Sequence, residues 1–271
     1  ELGIVQIKIT KPLSEQYGLE RRLKNTFGLK YAVVVKTDIS PERTLERVGE
    51  AGANLFLKLL FPNCHVGLAW GSTLSLITKH LEQPDPPIPF VIHEIAGTYL
   101  APTIPYGASW RVAEILQVPL ESLPVPTMIK DEKALKAVLN EPNIRLALEH
   151  ARQVDIAFVG LGKVSDDCTL IQTGHFTAEE IQELRERGAV GDVLMRFYDG
   201  EGRHVPNLHE SYIIGLTWAE IKSLPHVVAM AAGKEEKGQT ILGALRGKII
   251  HSLVTDSEMA QYLLEESGEK S

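Results

Sequence analysis

A short apolar run that stops at a small-residue turn and restarts as a helix narrows what this chain can fold into. The run is Val66-Gly67-Leu68-Ala69-Trp70, the turn is Gly71-Ser72-Thr73, and Leu74-Ser75-Leu76-Ile77 carries the helix onward. A buried strand that feeds straight into a helix is half of a β-α-β unit, and such units stack their strands in parallel. Gly71 allows the tight reversal, and Ser72 or Thr73 is read as the helix cap. The junction aims free N–H groups and the positive end of a helix dipole at one point, which suits a phosphate. Small-residue loops recur after two more apolar runs, at Ile95-Ala96-Gly97-Thr98 and Ala231-Ala232-Gly233-Lys234. Together they predict one crevice at the carboxyl ends of a parallel sheet.

Strand and helix signals alternate along most of the chain. Strands are expected at Gly3–Ile9, Tyr31–Lys36, Val66–Trp70, Phe90–Ile95, Ser122–Val125, Val154–Gly160, Val193–Tyr198, Val227–Ala231 and Ile249–Val254. The Val193–Tyr198 strand is expected to turn at Asp199-Gly200-Glu201-Gly202, with Arg203–Val205 as its hairpin partner. Helices are expected from Ser40-Pro41 up to Pro62, from Ser72 to about His80, and over Ala108–Leu116, Asp131–Asn140, Asn143–Gln153, Glu235–Arg246 and Ser257–Leu264. Thr255 to Glu258 has the spacing of a capping box, and Gly247 is placed to stop the helix before it. The order of elements predicts an α/β fold, a Rossmann-like three-layer sandwich with a mainly parallel sheet and helices on both faces.

Charge and cysteine usage exclude several function classes. The net charge is −7 over 271 residues, with no run of Lys or Arg to mark a nucleic-acid surface. No apolar stretch is long enough to span a bilayer, so no membrane partner is expected. Cys64 and Cys168 lie far apart, outside any CxxC or Cys/His cluster, and are read as reduced thiols of a cytoplasmic protein. The nine histidines form no HxH or HxxxH pair, so neither a metal nor any other cofactor is expected. Gly-x-Ser-x-Gly and the Walker lysine are both missing. Gly160-Leu161-Gly162-Lys163 follows a strand, but Ser165 stands where a dinucleotide fingerprint has its third glycine.

Three positions carry candidate chemistry. Trp70 can wall a sugar ring with its aromatic face beside Gly71, Ser72 and Thr73. Asp192, after Gly188-Ala189-Val190-Gly191, either caps its own backbone or accepts hydrogen bonds from vicinal hydroxyls with two oxygens. Lys237 falls at or near a helix start, where a cation is unfavourable unless an anion offsets it; the alternative is a solvated lysine paired with Glu235 or Glu236. His209 beside Glu210 is read as a solvated step or an assisting base.

Together these segments resemble the effector-binding domain of the SorC family of bacterial transcriptional regulators. The resemblance rests on Gly3-Ile4-Val5-Gln6-Ile7, the Val66–Leu74 segment, Val154–Gly162, Gly188–Asp192 leading into Arg196-Phe197-Tyr198-Asp199, and Leu242–Gly247 followed by Leu253–Asp256. It implies a sensor similar in fold to glucosamine-6-phosphate deaminases and ribose-5-phosphate isomerases. It further implies that residues 1–271 form the effector domain, with the helix-turn-helix DNA-binding domain outside this chain. A sugar or sugar phosphate would bind and modulate operator affinity through a homodimer or homotetramer, without catalysis. Family positions place ligand contacts on Trp70, Gly71, Ser72, Thr73, Gly97, Thr98, Thr169, Asp192, Leu194 and Lys237. The sequence departs from the family where Thr98 follows Gly97 and Lys234 follows Gly233, in loops that elsewhere carry paired glycines. The alternative is a sugar-phosphate isomerase or deaminase on the same scaffold, with Asp192 as base and His209 assisting.

Overall fold

Seven strands lie side by side in one sheet in the computed structural model of the protein, which describes residues 15–98, 108–233 and 237–268. In chain order the strands are β1 (Tyr31–Val35), β2 (Cys64–Leu68), β3 (Phe90–Glu94), β4 (Leu120–Glu121), β5 (Ile156–Val159), β6 (Gly162–Lys163), β7 (Ala189–Val193), β8 (Arg196–Asp199), β9 (His204–Val205), β10 (Val227–Met230) and β11 (Ser252–Asp256). The large sheet runs β1-β11-β10-β5-β2-β3-β4, with all its pairings parallel. β6 to β9 form a separate antiparallel sheet. The helices are α1 (Glu15–Phe27), α2 (Pro41–Leu59), α3 (Ser72–Ser75), α4 (Ala108–Leu116), α5 (Glu132–Asn140), α6 (Pro142–Ala151), α7 (Thr169–Gln172), α8 (Ala178–Glu186), α9 (Trp218–Ser223), α10 (Gly238–Arg246) and α11 (Ser257–Glu266).

Burial follows from this topology. Every residue of β5, β10 and β11 is buried, as expected of central parallel strands covered on both faces, whereas the edge strand β1 alternates. α2 packs on β1, β10 and β11, α6 and α4 on β3, and α1 on β1 and α11, so helices close the sheet into three layers. From β2 the chain steps outward through β3 to β4. It then returns to β5 and steps the other way through β10 to β11. The order therefore reverses between β2 and β5, and the gap between their carboxyl ends is where such sheets bind ligands.

Most expected elements among the described residues are present, with three differences of physical interest. The expected strand at Gly3–Ile9 lies outside the described residues, as do Lys234, Glu235 and Glu236. The expected strand at Ser122–Val125 is instead the two-residue β4 just before it. α11 is capped by Asp256, whose Oδ1 accepts from the Met259 N–H at 3.2 Å; Thr255 is the penultimate residue of β11 and no cap. Val193–Tyr198 is not one strand. The chain reverses at Leu194 and Met195 with φ of 53° and 61°, so Asp192 sits inside β7 and not in a loop before a strand. Two successive left-handed residues are what a two-residue hairpin needs, yet glycine and asparagine usually supply them.

The antiparallel sheet is locked onto α10. Tyr198 Oη donates to the Thr240 carbonyl at 3.1 Å, and Thr240 Oγ1 donates to the Val190 carbonyl at 2.7 Å. The buried Arg196 guanidinium donates to the carbonyls of Glu210, Ile213 and Leu216, holding the following segment against the hairpin. At the far end a Cβ on Gly202 would lie 2.3 Å from Gly247 Cα and 2.4 Å from the Gly243 carbonyl oxygen, and Gly202 holds a left-handed φ of +68°. Replacing Gly202 by Ala is expected to destabilise the fold by about 2–4 kcal/mol, from backbone overlap plus a left-handed Cβ. Urea denaturation checks this: the midpoint should fall with the slope unchanged.

Candidate functional site

The carboxyl ends of β2, β5 and β10 surround a cavity of about 350 Å³, within the range of small-molecule sites of roughly 300–1,000 Å³. The loop after β2 contributes Trp70, Gly71, Ser72 and Thr73, and the loop after β5 contributes Gly160, Leu161, Gly162 and Lys163. Asp192 and Leu194 enter from the β7–β8 hairpin, Asp167, Cys168, Thr169 and Leu170 from the start of α7, and Gly233 and Lys237 from the approach to α10. The lining thus unites the sequence candidates from four separated segments. Among the described residues it does not include Gly97 or Thr98.

Those two residues hold the fold beside the site. Gly97 N–H donates to the Ile214 carbonyl at 2.9 Å and Thr98 N–H to the Val125 carbonyl at 2.6 Å. A Cβ on Gly97 would come within 2.8 Å of the Val125 and Pro126 carbonyl oxygens, so close backbone contact explains the glycine.

The turn after β2 differs in detail from its sequence reading. Gly71 itself is the residue before α3, with φ of 156°, and neither Ser72 nor Thr73 caps the helix. α3 is one turn long and passes into a 3-10 turn at Leu76–Lys79. Gly71 and Gly160 come together with no side chain between them, since a Cβ on Gly71 would lie 3.7 Å from Gly160 Cα. Trp70 packs between the main core and the smaller core beneath the antiparallel sheet, which fixes it as a wall of the cavity.

Asp192 is the most constrained group here. Its side chain is only 4% exposed, and Oδ2 accepts from the Met195 N–H at 3.0 Å across the hairpin turn. β6 pairs Gly162 directly opposite Asp192, and a Cβ on Gly162 would sit 1.9 Å from Asp192 Oδ1. The second glycine of the Gly-x-Gly step therefore makes room for the Asp192 carboxylate. Burial pushes the Asp192 carboxyl up to about 6, against the lowering effects of the Met195 N–H and the Lys237 charge.

Lys237 precedes the first turn of α10 with an αR backbone. Burial lowers its pKa first, Lys163 lowers it further, and Asp192 opposes both. Lys163 Nζ donates to Asp167 Oδ2 at 2.7 Å, and Ser165 Oγ donates to the other oxygen, so Asp167 stays well ionised. Two ammonium groups therefore face a cavity whose nearest buried carboxyl is half-protonated near pH 6. Asp167, Cys168 and Leu170 were not singled out from the sequence, because only the tertiary fold brings the start of α7 to the site. His209 is not in the lining: its Nε2 lies 2.6 Å from Glu180 Oε1, and its ring packs on Phe176.

These features define a small-molecule-binding α/β domain with its site at the reversal of a parallel sheet. Residues 11–265 match a family model described as "Putative sugar-binding domain", and the chain belongs to this family, the sugar-binding domains of SorC-type transcriptional regulators. It is 29% identical over 97% of its length to the sorbitol operon regulator of Klebsiella pneumoniae, covering 85% of that protein. It is 27% identical to the deoxyribonucleoside regulator of Bacillus subtilis over 97% of this chain and 85% of the relative. The crystal structure of the full-length Klebsiella regulator superposes with a TM-score of 0.86 at 28% identity, over 96% of this chain and 84% of that one. A probable sor operon regulator from Shigella flexneri gives 0.84 at 28% identity, over 93% and 100%. The relatives are regulators, and the regulatory reading stands over the enzyme alternative.

The raised Asp192 pKa makes a stability prediction. Between its ordinary value of 3.8 and about 6 the folded protein keeps a proton that the unfolded chain has lost. Stability from this group is therefore fully present below 3.8, falls as pH rises, and is lost above about 6. The shift corresponds to about 3 kcal/mol. Ligand-free Asp192→Asn is expected to exceed the parent in stability at pH 7 by up to about 3 kcal/mol and to match it near pH 4. Denaturation at both pH values checks this, and a constant difference between the proteins would contradict it.

Proposed function

We infer that residues 1–271 form the effector-binding domain of a cytoplasmic regulator of carbohydrate genes, and that the cavity takes a small phosphorylated sugar. The observation that carries this reading is the convergence of Asp192, Lys237 and Lys163 on one cavity at the strand reversal. Asp192 Oδ1 and Oδ2 would accept vicinal sugar hydroxyls, and Trp70 would cover a face of the sugar. Lys237, with Lys163 and the glycine loop at 71–73, would hold the phosphate, whose negative charge relieves the repulsion between the two ammonium groups. Relatives named for the sorbitol operon and for erythritol catabolism support a small polyhydroxylated ligand.

The operator would be read by a helix-turn-helix region outside these residues, and the sensor would act as a homodimer or homotetramer. A ligand can shift such an assembly only by binding one arrangement more tightly than another. Binding without turnover is expected. Two neighbouring proton-transfer groups would serve an isomerase, whereas His209 is committed to Glu180 outside the lining.

Thermal shift and calorimetry with a panel of pentose, hexose and hexitol phosphates test the site. Asp192→Ala and Lys237→Ala are each expected to weaken binding about 10–150-fold, the equivalent of losing one charged hydrogen bond at roughly 1.5–3 kcal/mol. Normal ligand-induced stabilisation in both variants would refute the site. Product formation followed by NMR at a useful rate would refute the sensor reading. Sedimentation with and without the stabilising ligand reports the change of assembly.

A further inference from the structure

A second cluster of chemistry-bearing side chains lies at the other end of the sheet, away from the cavity lining. His93 on β3 stands opposite Glu121 on β4 in the parallel register, and His150 reaches them from the last turn of α6. His150 Nδ1 is 2.6 Å from Glu121 Oε2, and His93 Nδ1 is 3.1 Å from the same oxygen. The three ligand-capable atoms all lie within 4.8 Å of one another. Behind them, His65 Nδ1 on β2 lies 2.8 Å from His93 Nε2.

Proton sharing explains only part of this arrangement. His150 and Glu121 form a short, ordinary hydrogen bond. His93 is 1% exposed, and its buried Nδ1 has no hydrogen-bond partner although the Glu121 carboxylate lies beside it. The contact is close but misaligned, and an unsatisfied polar atom at such depth calls for a partner. If His93 Nε2–H donates to His65, the His93 tautomer leaves a bare Nδ1 lone pair facing a carboxylate. A cation between them turns that repulsion into coordination.

We propose that His93, Glu121 and His150 hold a divalent transition-metal ion, zinc by preference, which ties α6 and the edge strand β4 to the sheet. Two imidazoles and one carboxylate, with a fourth position left for water, form a nitrogen-rich set that suits zinc and not calcium or magnesium. His65 would fix the His93 ring, as outer partners of metal-bound histidines do. Bond lengths of about 2.0–2.1 Å place tetrahedral ligand atoms roughly 3.3 Å apart. The Glu121–His150 pair must open, and both side chains are more than a third exposed, which leaves them room to move and gives the ion a way in. The role is structural. β4 is two residues long and gains a cross-link to β3 and α6. No local motif announces the site, because its ligands come from three elements spread over residues 93–150.

Chelator-treated protein titrated with zinc chloride, followed by calorimetry and thermal unfolding, tests the proposal. One zinc per chain and a rise in Tm are expected. Glu121→Gln and His150→Ala should each bind zinc at least tenfold more weakly, with circular dichroism matching the parent in the absence of metal. Cobalt(II) added to the unsubstituted protein should give the visible absorption of a four-coordinate nitrogen–oxygen site, a readout that needs no variant. No saturable binding, an octahedral cobalt spectrum, or unaltered zinc affinity in both variants would overturn the proposal.

Discussion

The antiparallel sheet and α10 approach so closely that glycine is required on both sides of their contact. A Cβ on Gly247 would lie 2.6 Å from Gly202 Cα, and one on Gly191 would lie 2.6 Å from Thr240 Cγ2 of α10. This seam fixes the distance between two pieces of the cavity wall that are far apart in sequence, the hairpin bearing Asp192 and the residues leading into α10. The same sheet extends through β6 to the end of β5, so Asp192, Gly162 and Lys163 belong to one ladder. The parallel sheet supplies the crevice through its change of strand order, and the antiparallel sheet supplies Asp192 and Lys163 while the approach to α10 supplies Lys237. Neither half makes the site alone. Asp192 and Lys163 are held on strands of one ladder.

The large sheet was legible in the sequence because its physics is local. Val227–Met230 and Ile156–Val159 are apolar throughout, as doubly covered strands must be, and Ser40-Pro41 and Asp131 announce their helices by caps that the structure retains. The β7–β8 reversal was illegible for an equally local reason. Leu194 and Met195 carry no turn signal, and their left-handed conformations are imposed from outside, with Asn207 Nδ2 donating to the Met195 carbonyl and Asp192 accepting its N–H. The residues hence read as one continuous strand. Thr177 and Thr217 each form complete capping boxes with Glu180 and Glu220, a spacing the sequence shows equally at Thr255 and Glu258. There the buried carboxylate of Asp256 outcompetes the hydroxyl, accepting from Met259 N–H and Thr37 Oγ1 together.

The site was legible in composition and obscure in geometry. Small-residue turns marked the loops after β2 and β5, and Asp192 and Lys237 stood out as charges in unusual places. The sequence could not show that Gly162 and Asp192 face one another across a ladder, since that pairing spans thirty positions and depends on the unrecognised hairpin. Gly97 illustrates the converse. A glycine after a parallel strand reads as part of a ligand loop, yet carbonyl oxygens of Val125 and Pro126 occupy the space where its side chain would be. The requirement for glycine is the same in both places, and only the neighbours tell a cradle from a crossing of two backbones.

Several unfavourable features converge on the cavity, and their placement bears on how a sensor works. Leu194 and Met195 occupy left-handed conformations at a cost of roughly 1–2 kcal/mol each. Asp192 is buried with its carboxyl raised to about 6, and Lys237 and Lys163 disfavour each other's charge. Strain held at a site by a well-packed surround is stored where a bound molecule can release it. A ligand with hydroxyl donors and a negative group would lower the energy of all three charged side chains at once. Part of its binding free energy would then come from relief of a preorganised mismatch and not from reshaping the pocket. That division matters for regulation, because only interactions that differ between two arrangements of the protein can shift their balance. Lys237 leads into α10, and Asp192 and Lys163 sit on the antiparallel sheet, elements joined by the glycine seam. A change in their mutual repulsion therefore acts directly on the contact that sets the spacing of the antiparallel sheet and α10.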